Sequence, residues 1–217
     1  MKPMKTMTAL LALSALVLSG CSFQAGLNPT YFQYTPHAYE QKISGIGAIE
    51  MPKAVQDEVF TGKPTSFTGG GTTLTLPLGA LTREAATMAF KDVFSQGVKL
   101  VESGTEQRGY TAIIRPRITQ FTYEYNQLKN IGFAITPTAV VNLSVTLTDR
   151  TGKAIWERKF ETGNFEGNTY IISGSPGDEI SKTAHKALMK VMQEAADATH
   201  QELSTNPPTL PDGEKAL

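Results

Sequence analysis

The chain has 217 residues, with 20 Lys and Arg side chains balanced by 20 Asp and Glu, and a single cysteine. This length is enough to bury the core of one domain. The even charge balance gives no clustered basic excess, so we expect no nucleic-acid partner and no polybasic membrane patch.

Residues 1–20 have the layout of a secretory signal peptide. Lys2 and Lys5 give it a positive start, and residues 7–18 form an uncharged, mostly apolar run. A membrane-spanning helix needs about 20 apolar residues, so this run is too short to span a bilayer. We therefore expect the segment to be removed.

The apolar run ends in Leu18, Ser19 and Gly20, directly before the lone Cys21. This sequence resembles the lipobox of bacterial lipoproteins. The resemblance implies cleavage before Cys21 and acylation of its thiol by three chains, which together hold a protein stably on a membrane. It also implies, because Ser22 rather than Asp follows the cysteine, an outer-membrane location with the domain facing the periplasm. An acylated thiol leaves no cysteine for a disulfide or a metal site.

Residues 21–40, here called the N-terminal segment, contain glycine, proline and few aliphatic side chains, which predicts a partly extended tether. Four aromatic residues stand out in it. They either dock the tether on the domain or form a stripe that binds a partner, since aromatic residues are enriched at interfaces. These residues are Tyr31, Phe32, Tyr34 and Tyr39.

The first half of the predicted domain contains three strands and a helix. Residues 41–50 alternate weakly, and residues 72–78 alternate clearly between leucine and polar positions, as in a half-buried strand. Between them, residues 52–71 contain loop signals. Apolar residues at helical spacing predict a helix over 80–96, and a short strand over 98–102 follows.

The second half contains three more strands and a long helix. The apolar phase of residues 110–125 changes along the segment, which predicts a bulge. Residues 138–148 alternate strictly, with a hairpin connection at 149–153 and a returning strand at 154–165. Ser175, Pro176 and Asp178 resemble a helix start, and we expect that helix to reach about Leu203, with a disordered tail over 204–217.

Together these elements predict a single α+β domain over residues 41–203. One solvated strand face favours antiparallel pairing. We expect a mostly antiparallel sheet of about five or six strands with two helices packed on one face.

No constellation of residues indicates catalysis, a metal or a cofactor. The three histidines, His37, His185 and His200, lack ligand spacing, and the 173–177 stretch SGSPG fits a loop and helix cap better than a nucleophile elbow. Arg115 and Arg117 could bind an anionic head group or a partner, although a solvated strand face explains them more simply. We therefore expect no enzyme activity.

The order of elements resembles the YajG-type family of uncharacterised bacterial lipoproteins. Arg117–Tyr125, Thr138–Gly167 and Asp178–Leu203 carry the resemblance, about half of the mature chain. The architecture is also similar to the lipopolysaccharide-assembly lipoprotein and to auxiliary lipoproteins of ABC-type lipid transporters. The family implies an envelope lipoprotein but has no established activity to carry across.

Two functional hypotheses follow. In the first, Cys21 anchors a non-enzymatic interaction or assembly module whose envelope protein partner binds a sheet edge and a wet face around Tyr123, Tyr125 and Trp156. In the second, the protein is a transport accessory that holds a lipid or lipopolysaccharide chain between sheet and helices. The first predicts a filled core with an exposed apolar patch, and the second predicts a cavity.

Overall fold

The structure is a computed structural model that describes residues 21–104, 109–127, 134–171 and 175–207. The predicted signal peptide, with Leu18, Ser19 and Gly20, lies outside the described residues, and so does most of the predicted tail. Within these ranges no helix has both the length and the apolar character needed to cross a bilayer.

Ten strands and three α-helices make up the described chain. The strands are β1 Ser22–Gln24, β2 Gly47–Glu50, β3 Phe60–Gly62, β4 Thr73–Leu76, β5 Val98–Val101, β6 Ala112–Asn126, β7 Ala134–Asp149, β8 Ala154–Glu161, β9 Phe165–Glu166 and β10 Tyr170–Ile171. The helices are α1 Lys53–Gln56, α2 Leu78–Phe90 and α3 Pro176–Thr205, and a 3-10 helix spans Pro29–Phe32.

The main sheet has seven strands and confirms the α+β class. Its path runs β10-β7-β6-β2-β5, and β8 and β9 pair with β7 as well. β6 and β7 form a long antiparallel pair, whereas β2 pairs in parallel with both β5 and β6. The sheet is therefore mixed, because the chain passes through α2 between β2 and β5 and returns in the same direction.

A second, three-stranded sheet has the order β1-β4-β3. β1 runs parallel to β4, and β3 runs antiparallel to it. β1 belongs to the N-terminal segment, so part of the predicted tether is a strand of the fold. The pairing joins residues about 50 positions apart in the chain, which local sequence patterns do not reveal.

The predicted bulge lies in β6, where the register against β7 shifts between Ile118 and Gln120. Ile114 and Ile118 are buried before the shift, and Phe121, Tyr123 and Tyr125 are buried after it. The bulge therefore keeps apolar side chains on one face of the sheet although their spacing in the sequence changes.

The core lies between this face and the two longer helices. Alternate residues of β7 are fully buried there, and α3 packs along them, with α2 packed beside α3. The buried β7 residues are Ala139, Val141, Leu143, Val145 and Leu147. The opposite face of β8 carries Glu157, Lys159 and Glu161 in contact with solvent, which confirms one buried and one wet face.

One glycine in α2 allows a close approach of backbone to backbone. A Cβ atom on Gly79 would lie 2.2 Å from the carbonyl oxygens of both Val55 and Gln56 in α1. The Gly79 N–H also donates to the Glu58 carbonyl at 2.9 Å. The residues after β2 therefore pack directly on the start of α2 because no side chain separates them.

Candidate functional site

Cys21, the predicted lipidation residue, lies exposed with a free thiol at the start of the folded domain. Its carbonyl accepts a hydrogen bond from the Thr73 N–H at 2.9 Å. The next residue, Ser22, already pairs with Thr73 as the first residue of β1. No linker therefore separates Cys21 from the fold.

The rest of the N-terminal segment lies along α3. Phe32 is fully buried in the core, so of the two interpretations of these aromatic residues, docking on the domain is the one the structure shows. The Tyr31 hydroxyl donates to Asp178 at 2.6 Å and the Tyr39 hydroxyl donates to Asp197 at 2.7 Å. The Tyr34 hydroxyl donates to Asp92 beyond α2, so tyrosines fix the segment at three points.

His185 of α3 joins the segment to the helix through both ring nitrogens. Its Nδ1 lies 2.7 Å from the Ser181 carbonyl, and its Nε2 accepts the Asn28 N–H at 3.2 Å. The ring also contacts the aromatic rings of Tyr31 and Phe32. Burial lowers the pKa of His185, so the neutral ring that this pattern requires is the favoured form.

The start of α3 carries a small charge cluster beside this contact. Lys182 lies 2.7 Å from a carboxylate oxygen of Asp178 and 2.7 Å from one of Glu179. The hydrogen bonds from Lys182 and then Tyr31 lower the pKa of Asp178, while the bond to Asp178 raises the pKa of Lys182. Ser175 occupies the predicted cap position without a side-chain cap bond. Asp178 therefore serves to hold the N-terminal segment.

Two of the three residues predicted for a partner surface are buried, which corrects the prediction. Tyr123 is 1% exposed and Tyr125 is 3% exposed. The Tyr123 hydroxyl donates to the Gly62 carbonyl at 3.1 Å, and the Tyr125 hydroxyl donates to Pro176 at 3.4 Å. The β6 bulge returns both rings to the buried face of the sheet, so neither ring is free to bind a partner. Burial also raises the pKa of both phenols.

Trp156, the third predicted surface residue, is half-buried on β8. Its ring contacts Phe160 edge-on, and the Arg158 guanidinium lies 5.1 Å above it. Arg158 in turn reaches Glu202 of α3 at 3.2 Å. The Trp156 indole N–H is buried without a hydrogen-bond partner among the described residues. Trp156 therefore lies far along the sheet from Tyr123 and Tyr125, near the end of α3.

The other candidate residues hold structural contacts. Arg115 forms a 2.8 Å ion pair with Glu50, which is largely buried. His37 lies 3.3 Å from Asp197, and His200 lies 2.6 Å from the Gln41 carbonyl. In the part of the chain that the structure describes, no three His, Cys, Asp or Glu side chains cluster to hold a metal ion.

Two open grooves lie beside the N-terminal segment and β6. A groove of about 440 Å³ separates the N-terminal segment from the start of α3, with Phe23 and Gly177 in its wall. A groove of about 290 Å³ lies between β3 and the β6 edge at residues 118–121. Val59, which is 55% exposed, lines this second groove.

Sequence reasoning missed Phe67, which is fully exposed at the tip of the loop between β3 and β4. It is the only aromatic residue in a stretch without Asp, Glu, Lys or Arg that runs from Pro64 to Thr82. Three glycines, Gly69 to Gly71, follow it. An isolated aromatic residue in an uncharged glycine-rich loop is the signal that could have revealed it.

The sequence matches no protein-family model and no curated protein. Among solved structures, a Xanthomonas campestris protein of the DUF330 family superposes with a TM-score of 0.55 at 14% identity, covering 87% of this chain and 98% of the other. A minor lipoprotein of Acinetobacter baumannii gives a TM-score of 0.33 at 12% identity, covering 79% and 100%. The uncharacterized lipoprotein B of Nitrosomonas europaea gives 0.31 at 11%, covering 80% and 95%. The chain thus shares its fold with the Xanthomonas protein.

Proposed function

We propose that this protein is a lipid-anchored protein of the bacterial envelope that acts by binding another envelope protein, without a catalytic step. The observation that carries the proposal is Cys21, which follows a lipobox-like sequence and stands exposed where the folded domain begins. Acylation at this position meets no steric obstacle. The Ser22 that follows supports an outer-membrane anchor with the domain in the periplasm.

The surface best suited to a protein partner is the outer edge of β6 around Ile118 to Gln120. β2 pairs with this edge of β6 only at residues 112–114. Farther along β6, hydrogen bonds with Thr65 and Ser66 occupy the same edge at Tyr123 and Tyr125. Between these two points no described strand pairs with the edge. An open strand edge offers backbone donors and acceptors to an added strand.

The groove beside this edge gives an added strand side-chain contacts. Val59 is half exposed on one wall, while Phe60 and Phe121 form an edge-to-face pair across it. Apolar positions at the base of a groove and backbone groups along one wall are what strand addition requires. This edge replaces Tyr123 and Tyr125 as the proposed contact surface.

Lipid carriage is the alternative, and it requires an apolar cavity between sheet and helices. Large side chains fill that space in the described fold, among them Phe90, Phe94 and Tyr123, each 1% exposed or less. This close packing favours the interaction role.

The anchor is tested by expressing the full chain in a Gram-negative host and measuring the mass of the membrane-bound product. We expect a chain that begins at Cys21 with three acyl chains. The Cys21→Ala variant should keep its precursor mass and carry no acyl chain. A product that retains residues 1–20, or that carries a free Cys21 thiol, would refute the anchor.

The contact surface is tested with a photo-crosslinking amino acid at Val59 in the acylated protein in cells. We expect crosslinks to one envelope protein, because the side chain points into the groove beside the open edge. The same amino acid at Lys159, on the wet face of β8, serves as the control. Equal crosslinking from both positions, or crosslinks only to phospholipid or lipopolysaccharide, would count against the interaction role.

A further inference from the structure

The end of the domain that holds Cys21 also holds Phe67. The Thr73 N–H donates to Cys21, the Thr72 N–H donates to the Gly69 carbonyl at 2.7 Å, and the Gly70 N–H donates to the Phe67 carbonyl at 3.0 Å. These consecutive bonds connect the cysteine to the loop that carries the exposed ring. The exposed Phe67 ring therefore lies at the same end of the domain as Cys21.

The loop holds Phe67 outward on a fixed backbone. The Thr65 N–H donates to the Tyr123 carbonyl at 2.8 Å, and the Tyr125 N–H donates to the Ser66 hydroxyl at 2.9 Å. The residues just before Phe67 are thus attached to β6. A single exposed aromatic residue is common on protein surfaces, so its meaning depends on what lies beside it.

A second exposed apolar residue lies at the same end. Ile171 of β10 is 70% exposed and pairs with Ala134, the first residue of β7. In the antiparallel pair of β6 and β7, Asn126 at the end of β6 pairs with Thr136 at the start of β7. Phe67 is attached to this end through Ser66 and Tyr125. Phe67 and Ile171 therefore project from the same end of the sheet.

The two chain segments that carry Cys21 and Phe67 contain no charged side chain. No Asp, Glu, Lys or Arg occurs between Cys21 and Tyr39 or between Pro64 and Thr82. Charged side chains do occur at the start of α3, where Lys182 forms salt bridges with both Asp178 and Glu179. Because a charge brought to a bilayer loses hydration at a large cost, the two uncharged segments are the part of this end that can approach the lipid interface most easily.

We propose that this end of the domain rests on the bilayer and that the Phe67 ring inserts among the lipid head groups beside the acyl anchor. This inference rests on the proposed acylation of Cys21. Ser22 is already part of β1, so no chain is left over to lift the domain away. Phenylalanine is among the residues that bury into the boundary between lipid head groups and acyl chains, and the anchor and the ring together fix how the domain stands on the membrane.

The test places a fluorophore at position 67 of the native lipoprotein reconstituted in phosphatidylethanolamine–phosphatidylglycerol vesicles. Phe67→Trp is combined with Trp156→Phe, which removes the only natural tryptophan. We expect a blue-shifted emission that brominated lipids quench. The matched control is Val59→Trp in the same background, because Val59 is exposed beyond the opposite end of β3, and its emission should stay red and unquenched.

A second variant removes any dependence on the Trp156 substitution. The Phe67→Cys variant is labelled with an environment-sensitive dye, which reacts only at position 67 because the Cys21 thiol is acylated. We again expect the dye emission to shift to the blue and to be quenched by brominated lipids. The mass of Cys21 is measured on each sample. If the protein is acylated but the probe at position 67 remains in water, or is shielded only by a protein partner, this inference is overturned while the proposed anchor is retained. A chain without acylation overturns both.

Discussion

At the scale of single residues, His185 forms hydrogen bonds that require one particular protonation state of its ring. The fully buried ring donates from Nδ1 to the Ser181 carbonyl while Nε2 accepts the Asn28 N–H. A proton on Nε2 would turn an acceptor into a second donor facing an N–H. The Tyr31 ring packs against His185, and its hydrogen bond to Asp178 raises its pKa, so Tyr31 stays neutral at ordinary pH. The contact therefore holds only while His185 is neutral.

Acidification should weaken the fold through this residue. Below a pH of about 6.5 the unfolded chain binds a proton at His185, whereas burial lowers the folded pKa. The free energy of unfolding should therefore fall as the pH drops from about 6.5 to the lowered folded pKa, by about 1.4 kcal/mol for each unit between the two. Urea unfolding at a series of pH values measures it.

The matched variants are His185→Gln and His200→Gln on the same helix. The first should remove this part of the pH dependence, because glutamine does not titrate. The second should retain it, because His200 lies at the surface against the Gln41 carbonyl. Identical pH profiles for the wild type and His185→Gln would contradict the assignment.

At the scale of elements, the N-terminal segment belongs to the domain although its sequence resembles a tether. β1 pairs with β4, and Phe32 fills a place in the core. A Phe32→Ala substitution should lower the free energy of unfolding by about 3–5 kcal/mol, as for other buried phenylalanines. Chemical denaturation of the domain from Ser22 onward measures this loss.

The control for Phe32 is its neighbour Tyr31. A Tyr31→Phe substitution removes the hydroxyl that donates to Asp178 but leaves the core intact, so it should lower the free energy of unfolding by clearly less than Phe32→Ala. If Phe32→Ala costs no more than Tyr31→Phe, the segment is a tether that rests on the domain without being part of its core.

The elements that sequence predicted well are those whose pattern is local. β7 alternates strictly, and β6 contains a visible phase change that the bulge between Ile118 and Gln120 explains. The prediction that Tyr123 and Tyr125 face solvent is wrong, because a phase change alone does not say which side of the sheet the new phase occupies. β1 was missed because its pairing with Thr73 to Thr75 is set by residues far away in the chain. Phe67 carries no periodic signal at all.

At the scale of the whole molecule, the closeness of Cys21 to β1 decides how the proposed anchor would orient the domain. A protein on a long tether samples many orientations, whereas here the fold begins one residue after Cys21. With the proposed anchor at Cys21, the β6 edge near Ile118 and the hairpin at Asp149 point away from the proposed membrane contact, since Ala134 and Asp149 mark opposite ends of β7. The proposed partner surface is then open to a protein on that side.

Lengthening the connection should separate the domain from the bilayer. About 16 Gly and Ser residues, inserted after Cys21 with a serine kept directly behind it, span about 20–24 Å. In the Phe67→Ser background, which removes the ring contact, neutron reflectometry on a supported bilayer should show a water layer between lipid and protein that the wild type lacks. The same insertion at Gly152, in the hairpin between β7 and β8, should leave the protein layer in contact with the lipid. Contact that persists after the first insertion would mean that forces other than the short connection and Phe67 hold the domain down.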